Sequence, residues 1–150
     1  TVHYDGWVGD NPKGYSTGPM TGVKSRIHAW IDSGYFQKTG GIKVETLIGK
    51  IQPATRIANA DQPDGMFKAA VAYLVEQNKF VEPLYEMEKN GQLTGEPGKG
   101  MDGLPLLDGQ LVKAGQMLGN IWLTAWLEAP EDTFLERQLQ QRASANAEAK

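Results

Sequence analysis

The chain contains no cysteine, which removes disulfide frameworks and thiolate metal sites from consideration. Histidine is nearly as scarce, with two in 150 residues, so any imidazole-based site draws on His3 and His28 alone. No apolar run approaches the ~20 residues that a membrane-spanning helix needs. Excess charge of one sign is also missing. Fifteen basic against 18 acidic residues leave a net charge of −3 and a pI near 5.4. That balance argues against a broad electrostatic grip on duplex DNA and leaves room only for a local basic groove. Neither a Met nor a signal-peptide pattern opens the chain at Thr1, so it reads as a processed or excised form of something longer. Its length suits one domain with a substantial core.

What is present reads as a loop, then helices, then a polar end. Residues 1–20 are rich in Gly, Pro, Asn and Asp, with Tyr4, Trp7 and Tyr15 among them, a composition for turns. Thr21 is placed to cap a helix through Val23, Ile27, Trp30, Ile31 and Tyr35, which share one face at 3.6-residue spacing. Thr39-Gly40-Gly41 ends it. Residues 42–51 fit strand or short helix equally, and TRIANA after Pro53 permits another short helix. Asp64 is a plausible cap for the run from Met66, where Phe67, Ala70, Val71, Leu74 and Val75 form an apolar stripe. Pro83 should kink or divide that run, and Gly91 should terminate it. Residues 91–103 carry five glycines and read as a long mobile loop. The last apolar helix, LLDGQLVKAGQMLGNIWLTAWLEA, has Leu111, Ala114, Gly115, Leu118, Ile121, Trp122, Ala125 and Trp126 on one face and closes at Pro130. On that phase Trp122 and Trp126 belong to the core. Beyond it a short helix should fray into a polar tail. The class is all-α, with residues 1–142 as the helical domain and 143–150 as the tail.

Two side chains stand out chemically. His28 and Asp32 are i and i+4 on one helix, so they project from the same face about one turn apart. Imidazole nitrogen and carboxylate oxygen are normal zinc ligands, and a site needs three or four of them. A simple side-chain hydrogen bond on a solvated helix face accounts for the same spacing. His3, beside Asp5 in the opening loop, is the only other histidine, either a third donor or an exposed residue. GDNPKGYSTG has glycines and a lysine but lacks the ordered spacing of a phosphate loop. Tyr4 and Trp7 are able to stack on bases or sugars, although aromatic loop residues often pack the loop down. A threonine at position 1 suits an N-terminal nucleophile, but that chemistry belongs to layered sheet folds.

With these residues in view, the chain resembles the C-terminal part of the zinc-dependent phospholipase C and single-strand-specific zinc nuclease superfamily. His28-Ala-Trp-Ile-Asp32 fits that superfamily's H-x-x-x-[DE] element. TVHYDGWVGDNPKGY is similar to the loop that precedes the element, and MFKAAVAYLVEQNKFVEPLYEME and LVKAGQMLGNIWLTAW resemble its last two core helices. The resemblance implies an all-α fold holding up to three zinc ions that cleave phosphate esters. His28 and Asp32 would then ligate one zinc, with His3 a weaker candidate, and Tyr4 and Trp7 would be candidates for lining the substrate cleft.

The superfamily's N-terminal amine ligand, its early His and Asp ligands and its Q-P-[LM]-H histidine have no counterpart in these residues. The resemblance therefore implies a second chain, most simply the N-terminal part of the same precursor, that brings the missing ligands and covers the apolar faces of residues 66–82 and 108–128. It also implies a periplasmic or secreted protein acting on nucleic acid or phospholipid head groups. The rival expectation, from a different class, is a non-catalytic helical subunit, a binding or assembly module in which His28 is an ordinary satisfied histidine.

Overall fold

A computed structural model describes residues 6–20 and 26–148. Thr21 and Val23, read above as a helix start, lie outside the described residues. Helices α1 (Ile27–Ala29), α2 (Phe36–Lys38), α3 (Val44–Ile48), α4 (Gly65–Asn78), α5 (Val81–Lys89), α6 (Leu104–Glu128) and α7 (Thr133–Glu148) account for half of the chain. Among the described residues there is no strand, only an isolated bridge between Pro19 and Arg26. The all-α expectation holds.

The first helical region has a feature that periodicity does not announce. A π-helical turn, Trp30–Tyr35, joins α1 to α2. Gly34 makes room for it: a Cβ there would fall 2.2 Å from the Trp30 ring. The indole lies back over this glycine, and its Nε1 donates to the Leu93 carbonyl at 2.6 Å. Ile27, Ile31 and Tyr35 still face inward, as their spacing predicts.

The core gathers at one end of the molecule. Tyr15 and Met20 from the opening loop meet Ile27, Ile31, Tyr35, the α5 residues Val81, Leu84 and Tyr85, and Leu93 and Leu107. Trp7 packs on Tyr15 and edge-on to Tyr85, with centroids 4.7 and 5.3 Å away. Polar contacts pin the same loop to α5. Lys13 Nζ and Tyr15 Oη both donate to Glu82 Oε1, at 2.8 and 3.2 Å. Those two hydrogen bonds, Lys13's first, hold the Glu82 carboxyl below its ordinary pKa.

The stretch 91–103 departs from the expectation of a long mobile loop. It is compact and closed by Gly95 N–H donating to Gly100 O at 3.0 Å, and Leu93 is fully buried in the core. Positive φ at Gly91, Gly95 and Gly98 allows the tight turns that side chains with a Cβ resist. The break between α4 and α5 falls at Lys79–Phe80, ahead of Pro83, which occupies the first turn of α5. Proline is tolerated there because the first-turn N–H groups have no helical acceptor. Asp64 does precede α4, but it adopts a left-handed conformation and makes no side-chain cap bond.

Residues 52–57 are not helical, contrary to the reading of TRIANA. They run extended along α6, hydrogen-bonded to its polar edge. Gln52 N–H donates to Gln116 Oε1 at 2.8 Å, Thr55 N–H to Asn120 Oδ1 at 2.9 Å, and Ile57 N–H to Thr124 Oγ1 at 2.9 Å. The three acceptors are one turn apart, ~6 Å per step on a helix rising 1.5 Å per residue. The donors are three and then two residues apart, and extended backbone at ~3.3 Å per residue spans ~10 and ~6.6 Å, enough to reach from each acceptor to the next. Small residues let the strap approach: a Cβ on Gly115 would come within 2.8 Å of Ile51 Cδ1, and one on Gly119 within 3.6 Å of Ala54 Cβ. At the far end Arg56 bridges Asp61 and Glu128. Thr124→Val preserves shape while leaving the Ile57 N–H without its acceptor. It is expected to cost ~1–3 kcal/mol in urea unfolding, and a loss below ~0.5 kcal/mol would mean that the rung contributes nothing.

This strap corrects the phase assigned to α6. The strap occupies the polar and small edge, and Trp122 and Trp126, read as core, are 68% and 81% exposed. Leu111 and Leu118 beside them are exposed too, as are Phe67, Val71, Leu74 and Val75 of the α4 stripe. The periodicity is correct, but no described segment lies over these faces. A helix with one apolar and one small-polar edge can bury either, and here the backbone hydrogen bonds of the strap select the second.

Candidate metal-binding helix

His28 is the middle residue of α1, and Asp32 lies in the π turn. The geometry places them together as the spacing predicts, with His28 Nε2 and Asp32 Oδ2 2.8 Å apart and both side chains more than half exposed. The helix behind them is anchored by Ile27 and Ile31, so the pair stands on a rigid element with its polar atoms toward solvent. His3 and Tyr4 lie outside the described residues. Trp7 is half-buried against Tyr15 and Tyr85, and its Nε1 donates to the Asp10 carbonyl at 2.9 Å. It acts as packing for the opening loop in this arrangement.

The donor chemistry of the pair suits zinc: one nitrogen and one carboxylate oxygen on the same face. The number of donors falls short. Among the described residues no group of three or more His, Asp or Glu side chains is close enough to hold an ion. His28 and Asp32 by themselves supply two donors, fewer than the three or four that a zinc site takes.

Sequence reasoning passed over a neighbouring feature. Asp32 also lies at the wall of a cavity of about 150 Å³ formed where the π turn meets α5 and the start of α6. Phe36, Phe80, Leu107 and Ala114 supply much of its apolar lining, with Gln110 as a second polar residue. These positions belong to three separated stretches, so no spacing along the sequence brings them together. No family model, curated protein or solved structure matches the chain. No described helix is long and apolar enough to cross a membrane.

Proposed function

We propose that this chain is the C-terminal part of a zinc-dependent phosphodiester hydrolase, nuclease or phospholipase C-like, working with a second polypeptide. The main support is the His28–Asp32 pair, two metal-type donors 2.8 Å apart on an exposed helix face. Zinc bound there would supply Lewis acidity toward a phosphate ester. The chain's own contribution is to hold the two donors side by side on a packed helix. The uncovered apolar faces of α4 and α6 support the partner, which in this reading is the N-terminal part of the same precursor and brings the remaining ligands. Nucleic acid and phospholipid head groups are the substrate classes, and the setting is periplasmic or secreted.

The test is zinc content of purified protein. His28→Ala and Asp32→Asn are each expected to weaken zinc binding roughly tenfold or more with the far-ultraviolet circular dichroism unchanged, since neither removes apolar core. Unchanged zinc in both variants would overturn the assignment. A second reading, a non-catalytic helical binding or assembly module, is favoured by the exposure of Trp122 and Trp126. In that case the wild-type chain binds no zinc and still associates through α4 and α6.

A further inference from the structure

We propose that the cavity between the π turn, α5 and α6 binds a small apolar amine, with its hydrocarbon body inside and its ammonium group on Asp32. The cavity volume, about 150 Å³, is large enough for the body of a benzene-sized molecule. Its wall is nearly all hydrocarbon, and Asp32 is its one charged residue. The contact to His28 engages one carboxylate oxygen, Oδ2. A carboxylate has a second oxygen free to accept from a ligand donor.

Gln110 supplies the other polar element. Its Oε1 is buried and has no hydrogen-bond partner among the described residues, whereas buried amide oxygens are normally satisfied. A rotation of the terminal amide turns this acceptor toward a ligand N–H. One anionic and one neutral acceptor in an apolar wall select a cationic donor over an anion. An ammonium with an aromatic or short aliphatic body satisfies both.

This inference does not rest on the zinc reading, because it requires Asp32 and the cavity but not His28. The experiment is calorimetric titration of the whole chain in the presence of a chelator, with benzylamine as probe and benzoate and toluene as controls of similar size. Benzylamine is expected to bind at least about tenfold more tightly than benzoate. Asp32→Asn is expected to abolish that preference while toluene binding persists. Gln110→Leu should weaken benzylamine without weakening toluene. Ala114→Phe, a change at an exposed position on the cavity's edge, is expected to block both. The chelator keeps zinc off the His28–Asp32 pair, so amine binding is read independently of whether the zinc assignment fails or succeeds. Equal binding of benzoate and benzylamine, or benzylamine binding indifferent to both Asp32→Asn and Ala114→Phe, would overturn the proposal. So would the absence of saturable binding up to about 10 mM amine.

Discussion

Tyr85→Ala is expected to remove ~3–5 kcal/mol of stability, a large share of the 5–15 kcal/mol typical of a whole domain. Tyr85 is fully buried, with Trp7 set edge-on against its ring and Tyr15 6.0 Å away. Its loss opens a void at the point where the opening loop, the first helical region and α5 converge. The loop cannot collapse into that void without giving up the bonds from Lys13 and Tyr15 to Glu82. Trp126→Ala, by contrast, is expected to change the stability of the isolated chain by no more than ~0.5 kcal/mol, because that side chain already faces solvent. Paired urea unfolding curves provide the check. If the two substitutions cost the same, the core does not lie at the α1–α5 end. If Trp126→Ala costs little alone but weakens an assembled form, the apolar edge of α6 is an interface.

The second large effect is expected from Leu93→Ala, ~2–5 kcal/mol. Leu93 is fully buried within the glycine-rich stretch, and a Cβ added to Gly103 would fall 2.2 Å from Leu93 Cδ2, so the surroundings fit it tightly. Its carbonyl also receives the Trp30 indole, while the Tyr35 hydroxyl donates to Gln92 O at 3.4 Å. Truncating Leu93 should therefore loosen the π turn that carries Asp32 as well as the loop itself. Hydrogen exchange should report faster opening across residues 30–38 and 91–103 together. Lys99→Ala, at an exposed position in the same stretch, is the control and should alter stability by less than ~0.5 kcal/mol. An equally small effect at Leu93 would restore the picture of a loosely attached loop.

The sequence alone determined the helical class, the His28–Asp32 juxtaposition, the inward face of Ile27, Ile31 and Tyr35, and the termination of α5 before Gly91. Each of these is local, set by spacing along one helix or by a glycine's backbone freedom, and needs no knowledge of the neighbours. Tertiary structure alone decided which side of α6 is covered. Leu111, Leu118, Trp122 and Trp126 make the more hydrophobic edge, yet Gln116, Asn120 and Thr124 capture the backbone N–H groups of residues 52, 55 and 57. A segment laid along a helix has to direct its backbone N–H groups to water or to acceptors on that helix, and a purely apolar edge offers no acceptors. The same distinction governs the candidate sites. Two donors one turn apart are visible in a linear string, whereas the cavity beside Asp32 exists only because Phe36, Phe80, Leu107 and Ala114, distant in sequence, close around a space that none of them fills.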